Sequence, residues 1–217
     1  MARVNAEAEL LDADLEACVA AGVDAVMLPK VESPSEVRAA FVQLERHARE
    51  RGSTGPRSLV ALIETPRGVL RADAIAAAHP ALRALGFGAE DYAAAIGRPP
   101  HADLLVPAAA RVAMCAAAEG LACWGLAASI AELDDMDALE GAARLSHRLG
   151  FSGTPAVHPA QVQVFNRVFA PTEAEIAQAR KVLEAHARAD AEGLGALRLD
   201  GRMVDRPMVD RARRLLA

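Results

Sequence analysis

The sequence has few aromatic residues, few cysteines and no cluster of basic residues. Phe, Trp and Tyr together make up 3% of the 217 residues, and the three cysteines form no Cys-x-x-Cys pair. An odd number of cysteines without that spacing argues against a disulfide framework and against a structural zinc site. The formal net charge is −5 and no basic block is present, so no nucleic-acid partner is expected.

Long apolar runs and a secretion signal are also missing. The most apolar stretch, residues 104–118, is interrupted by Pro107 and Arg111 and is not expected to span a membrane. The N-terminus lacks a basic segment followed by an apolar one, so no secretory signal peptide is predicted. From these absences we expect a soluble, cytoplasmic protein.

Alanine is abundant, with 51 residues, which raises helix propensity while adding little buried area. Short apolar runs typical of strands alternate with alanine-rich stretches typical of helices, and this alternation predicts a parallel sheet covered by helices. Strands are expected at 25–28, 59–63, 82–87, 121–126 and 151–157, and helices at 13–21, 37–51, 69–78, 107–119, 137–149 and 172–191. No Gly-x-Gly-x-x-Gly follows an early strand, so we favour a TIM-type (β/α)8 barrel over a dinucleotide-binding sheet.

Two carboxylates follow neighbouring predicted strands. In TIM barrels the chemistry lies where strands end and βα loops begin. Glu64 comes directly after 59–63, and Asp91 comes shortly after 82–87, so both could project into one mouth. Carboxylate oxygens suit Mg²⁺, and a divalent cation removes the repulsion between the two charges. The alternative is that each residue merely caps the helix after it.

Three further polar residues lie at predicted strand ends. Arg3 could hold a carboxylate or an enolate oxygen, although position alone favours a frayed terminal residue. Lys30 follows Pro29 and has the place of a Schiff-base lysine, but a solvated charge is the more common outcome for such a lysine. His158 could serve as a general base, but a single histidine in a Val-His-Pro turn is more often structural.

At these strand ends the sequence resembles the HpcH/HpaI aldolase and citrate lyase beta-subunit family, especially its branch of acyl-CoA lyases. The resemblance runs in collinear order along nearly the whole chain. It is carried by Arg-Val-Asn at 3–5, Leu-Ile-Glu-Thr-Pro-Arg-Gly at 62–68, Gly-Phe-Gly-Ala-Glu-Asp-Tyr at 86–92, Val-His-Pro-Ala-Gln-Val at 157–162 and Met-Val-Asp at 203–205.

The resemblance implies a role for each matching residue. Glu64 and Asp91 would bind Mg²⁺, and Glu64 would also contact the substrate. Arg3 would be catalytic, contacting the substrate carbonyl or enolate, and backbone N–H groups at Ala89 and Glu90 could hold the substrate carboxylate. Asp205 would reach the active site of a neighbouring subunit for acid/base chemistry, in a homo-oligomer that is a trimer or a hexamer.

The implied reaction is Mg²⁺-dependent cleavage or formation of a carbon–carbon bond in a 3-hydroxyacyl-CoA such as malyl-CoA or citramalyl-CoA, or in citryl-CoA, giving acetyl-CoA and a 2-keto acid. A class II-type aldolase acting on free 4-hydroxy-2-oxo acids is an alternative. A third alternative is a non-catalytic remnant that needs a partner.

The resemblance also has departures. Relatives usually carry about two further βα units before the strand that holds the Arg-x-Asn motif, so we expect an incomplete barrel of about six units. Many relatives have an aspartate where Trp124 stands. We expect the barrel domain to span residues 1–165, followed by a C-terminal helical segment, residues 166–217, that forms a lid over a neighbouring site.

Overall fold

The computed structural model of the chain describes residues 1–56, 58–131, 135–191, 197–199 and 201–216. The chain divides into two compact units, Met1–Phe169 and Ala170–Ala217. Asp200, next to the Met-Val-Asp motif, lies outside the described residues.

The first unit is built on a parallel sheet whose strands follow one another in chain order. Its strands are β1 (Ala2–Arg3), β2 (Ala25–Leu28), β3 (Ser58–Ile63), β4 (Leu82–Phe87) and β5 (Ala122–Gly125). Its helices are α1 (Ala8–Ala20), α2 (Pro34–Glu50), α3 (Pro66–Leu70), α4 (Ala72–Ala76), α5 (Ala89–Ile96), α6 (Ala102–Ala118), α7 (Met136–Leu149) and α8 (Pro159–Phe169). Within the described ranges, these strands do not close into a barrel.

Strand β3 shows how the sequence produces a sheet that is apolar on both faces. Successive side chains of a strand point to opposite faces. Leu59 and Ile63 therefore lie in the large core beneath the helices. Val60 lies in a smaller cluster on the other face, with Met27, Ala84 and the partly buried Trp124.

The second unit consists of α9 (Glu173–Ala191), the antiparallel strands β6 (Leu197–Leu199) and β7 (Arg202–Val204), and α10 (Arg206–Leu216). A capping box begins α9. The Glu175 carboxylate accepts the Thr172 N–H at 2.8 Å, and the Glu175 N–H donates to the Thr172 hydroxyl at 3.2 Å. Among the described residues, no helix is both long enough and apolar enough to cross a bilayer.

Two predicted elements differ in the structure. The helix expected at 69–78 is two short helices, α3 and α4. The Arg111 guanidinium donates hydrogen bonds to the carbonyls of Val69 and Leu70, at 2.8 and 3.0 Å, and these bonds replace the helical ones at the break. The strand expected at 151–157 is a single bridge between Gly153 and Trp124. Pro155, which has no backbone N–H to donate, limits the pairing there. In the part of the chain that the structure describes, the sheet therefore has five strands, with this bridge where a sixth strand was expected.

Helix α6 also begins earlier than predicted. The sequence placed its start at Pro107, a residue that fits the first turn of a helix. The N–H groups of Leu104 and Leu105 instead donate to the His101 carbonyl, so the helix begins at Ala102 and carries Pro107 inside it.

Candidate active site at the carboxyl ends of the strands

Four charged residues follow four consecutive strands of the first unit. Arg3 ends β1, Lys30 follows β2, Glu64 follows β3 directly, and Asp91 lies in the first turn of α5 after β4. Because the strands are parallel, their carboxyl ends meet at one edge of the sheet. The predicted grouping of Arg3, Glu64 and Asp91 at that edge therefore holds, and Lys30 joins it.

Glu64 is the buried member of this group, with a relative exposure of 3%. One carboxylate oxygen, Oε1, accepts the backbone N–H of Lys30 at 2.9 Å. Burial raises the pKa of the Glu64 carboxyl to about 7, and the nearby Asp91 adds to that rise. The Lys30 N–H bond and the charges of Lys30 and Arg3 act in the opposite direction and lower this pKa.

The backbone at Gly88 leaves space for the Glu64 carboxylate. A Cβ atom placed on Gly88 would lie 2.4 Å from Glu64 Oε2, closer than non-bonded atoms approach. This glycine stands between β4 and α5, directly after Phe87. Sequence reasoning did not identify it as a site residue, although a glycine between a buried strand and an acidic helix start is a usable signal for close approach.

Lys30 is a solvent-exposed charge, as the sequence favoured, and it also has a partner. Its Nζ atom lies 3.5 Å from Asp91 Oδ1, with both side chains about half exposed. Schiff-base lysines become reactive through desolvation or a neighbouring cation. Lys30 is neither buried nor beside a cation, and its partner is a carboxylate, so the arrangement does not favour a Schiff base.

Helix α5 begins at this edge of the sheet. Its N-cap is Gly88, which has no side chain to accept a hydrogen bond from the first turn. The first N–H groups of a helix have no partner within it and attract anions. The predicted role of Ala89 and Glu90 toward a substrate carboxylate remains a prediction that this geometry permits.

Comparison with known proteins identifies the family. The family model for HpcH/HpaI aldolase/citrate lyase matches residues 1–159, which include all four strand-end residues. The chain belongs to this family. The citrate lyase subunit beta of Escherichia coli K12 is 37% identical over 222 residues, covering 99% of this chain and 72% of the relative. The L-malyl-CoA/beta-methylmalyl-CoA lyase of Cereibacter sphaeroides ATCC 17025 is 31% identical over 208 residues, covering 84% of this chain and 63% of the relative.

A solved structure of the HpcH/HpaI aldolase/citrate lyase family agrees in fold. The crystal structure of CitE from Mycobacterium tuberculosis, in complex with magnesium, acetoacetate and coenzyme A, matches with a TM-score of 0.69 at 31% identity. The match covers 99% of this chain and 75% of that chain. The predicted TIM-barrel-type α/β fold and the predicted class of carbon–carbon lyase are confirmed.

The carboxylate pair fits the way in which proteins bind magnesium. Glu64 and Asp91 offer only oxygen donors, which Mg²⁺ prefers. Among the residues that the structure describes, no group of three or more His, Cys, Asp or Glu side chains is arranged to hold a metal ion. A site with two protein carboxylates leaves its other positions to water and substrate, which is usual for Mg²⁺. A cation would also favour the charged form of buried Glu64.

Asp205 and His158 each have a local structural partner. Asp205 lies in the second unit, where its Oδ1 accepts the Met208 N–H at 3.1 Å and so caps the start of α10. Its role at a neighbouring subunit's site stays a prediction.

His158 accepts the Ala160 N–H at Nδ1, at 3.2 Å, beside the start of α8. That contact agrees with the structural role that the sequence favoured for this histidine.

Proposed function

We propose that this chain is a Mg²⁺-dependent lyase that cleaves or forms a carbon–carbon bond in a 3-hydroxyacyl-CoA such as malyl-CoA or citramalyl-CoA, or in citryl-CoA. The products of cleavage would be acetyl-CoA and a 2-keto acid. The observation that carries the proposal is buried Glu64 beside Asp91 at the carboxyl edge of the sheet, in a chain of a lyase family. The named relatives include a citrate lyase beta subunit and a malyl-CoA lyase.

Glu64 and Asp91 are the residues that would hold the metal. Bound there, Mg²⁺ would polarise the oxygen that becomes the carbonyl of the 2-keto acid. Glu64 keeps its place through the Lys30 N–H and through the space left at Gly88. The N–H groups of Ala89 and Glu90 would hold the substrate carboxylate at the start of α5.

Cleavage leaves a thioester enolate, whose oxygen needs a positively charged donor. Arg3 has the required charge, and its charge already acts on the neighbouring Glu64. The substrate hydroxyl loses its proton as it becomes the carbonyl of the 2-keto acid, and the α-carbon of the enolate receives one proton to become acetyl-CoA, so the two transfers balance. We assign the proton transfer to carbon to Asp205 of a neighbouring copy, and the proposal therefore includes a homo-oligomer, a trimer or a hexamer.

The proposal places the enzyme in the cytoplasm. The free cysteines Cys18, Cys115 and Cys123 are all buried, and unpaired thiols are common in that reducing compartment.

The test is an assay of acetyl-CoA release by the purified chain. Malyl-CoA, citramalyl-CoA and citryl-CoA are each incubated with Mg²⁺ and the products are separated by chromatography. We expect release from at least one thioester and a loss of about 100-fold or more in Glu64→Gln. The matched control is Glu119→Gln, an exposed carboxylate at the end of α6 next to the amino end of β5.

Two other results of this assay would contradict the proposed function. Cleavage of free 4-hydroxy-2-oxo acids in place of the thioesters would assign the chain to the aldolase branch. If no substrate is cleaved, or if Glu64→Gln is as active as the parent, the lyase proposal for this chain is wrong.

A further inference from the structure

Lys30 contacts both proposed metal ligands, one through its backbone and one through its side chain. Its N–H donates to Glu64 Oε1 at 2.9 Å, and its Nζ lies 3.5 Å from Asp91 Oδ1. Glu64 and Asp91 come from different strand ends, after β3 and β4. A single residue after β2 therefore bridges the carboxylate pair.

The backbone of Lys30 is unusual in a way that serves these contacts. Its φ angle is 50°, the one positive φ of a non-glycine residue in the described ranges. Side chains with a Cβ disfavour this left-handed region, and glycine adopts it freely. The turn alone would therefore favour glycine. The presence of a lysine suggests that its ammonium contributes something that the turn does not require.

The N–H contact with Glu64 and the ammonium contact with Asp91 have different consequences for metal binding. The N–H bond occupies Oε1 of Glu64 and not Oε2. The ammonium, in contrast, already supplies positive charge to Asp91. A divalent cation bound by Asp91 would have to displace the ammonium, because two cations at one carboxylate repel each other.

We propose that Lys30 is a positioning residue that holds the carboxylate pair together before the metal binds, and that its ammonium competes with Mg²⁺ for Asp91. This inference rests on the proposed function, since it assumes that Glu64 and Asp91 hold the metal. Lys30 would thereby weaken metal affinity, while keeping the two carboxylates from repelling each other in the metal-free enzyme.

The test compares the affinity of Mg²⁺ for the parent enzyme, three Lys30 variants and Glu64→Gln by calorimetry, with Mn²⁺ and its paramagnetic resonance as a second probe. Lys30→Met removes the charge and keeps a side chain. Lys30→Gly removes the charge and relieves the left-handed backbone. Lys30→Arg keeps the charge and is the matched control. Circular dichroism checks that each form is folded.

We expect Lys30→Met and Lys30→Gly to bind Mg²⁺ roughly two- to five-fold more tightly than the parent, the range for a half-exposed ion pair. Lys30→Arg should bind like the parent. If Lys30→Met and Lys30→Gly bind no more tightly than the parent, the competition is refuted while the metal site stands. If Glu64→Gln binds Mg²⁺ as well as the parent, the metal site itself is wrong, and the inference about Lys30 is overturned with it.

Discussion

The Glu64 carboxylate lies against the backbone of Gly88, so closely that a Cβ on Gly88 would approach Oε2 to 2.4 Å and the Glu64 Cβ to 2.6 Å. The φ angle of Gly88 is −98°, which any L-residue adopts. Lack of space, rather than backbone conformation, therefore requires glycine at this position. The contact joins the end of β3 to the start of α5 at the proposed metal site.

Replacing Gly88 by alanine should displace Glu64 and lower the affinity for Mg²⁺ by about ten-fold or more, because metal ligands must be held closely in place. Calorimetric titration of Gly88→Ala with Mg²⁺ measures this effect. Gly141→Ala in α7 is the control, because no atom lies within 4 Å of a Cβ built there. Unchanged Mg²⁺ affinity in Gly88→Ala would contradict the proposed role of Glu64.

The stability of the metal-free protein should depend on pH through Glu64. Burial raises the pKa of this carboxyl from 4.5 to about 7. Between these values the folded protein holds a proton that the unfolded chain has lost, so the free energy of unfolding falls as the pH rises. The fall amounts to roughly 3 kcal/mol at most, from the size of the pKa shift.

Urea unfolding with a chelator present, at about pH 5 and about pH 8, measures this dependence. Glu64→Gln is the control, because the other titrating groups are common to both proteins and cancel in the comparison. We expect Glu64→Gln to lack the Glu64 part of the decline. The same decline in both proteins would mean that Glu64 does not titrate as described.

Arg111 should stabilise the loop after β3. Its guanidinium donates to the carbonyls of Val69 and Leu70 at the end of α3, the helix that begins directly after Glu64. Arg111→Met should lower the free energy of unfolding by about 1–3 kcal/mol, because two hydrogen bonds are lost. Met114→Ala on the same helix is the control, since Met114 is 64% exposed. Equal stability of the two variants in urea would show that these bonds contribute little.

The two roles of Asp205 can be separated by substitution. Its carboxylate caps α10, and serine is also a good N-cap residue but has no acid to donate. Asp205→Ser should therefore keep the thermal stability of the parent and lose acetyl-CoA release. Asp205→Ala should lose activity and also about 1 kcal/mol of stability. Full activity in Asp205→Ser would leave only the capping role.

The placement of Glu64 and Asp91 at strand ends could be predicted because each follows an apolar run, and strand ends can be located from such runs. Their role as metal ligands stays a prediction. The sequence could not predict that Lys30 contacts both Glu64 and Asp91. These contacts depend on the left-handed backbone of Lys30 and on which carboxylates the neighbouring strands bring within reach. The position of Gly88 after a strand indicates a close approach, but the sequence does not show that the approaching side chain is Glu64, which follows a different strand.

The barrel-type fold could likewise be predicted from the alternation of strands and helices, whereas element boundaries could not. The helix expected at 69–78 is divided by hydrogen bonds from Arg111, which lies on α6, far along the sequence. At Gly153, the predicted strand is reduced to one bridge with Trp124. The first difference comes from a tertiary contact that local residue patterns do not encode, and the second comes from Pro155, whose missing N–H limits the pairing.

The most direct test of the central claim is a crystal structure of the chain with Mn²⁺ in place of Mg²⁺, with the metal located by its anomalous scattering. We expect one strong anomalous peak within coordination distance, about 2.1 Å, of oxygen atoms of both Glu64 and Asp91, with the Lys30 ammonium moved away from Asp91. If the enzyme releases acetyl-CoA with Mn²⁺ but its anomalous peak lies elsewhere, Glu64 and Asp91 do not hold the metal.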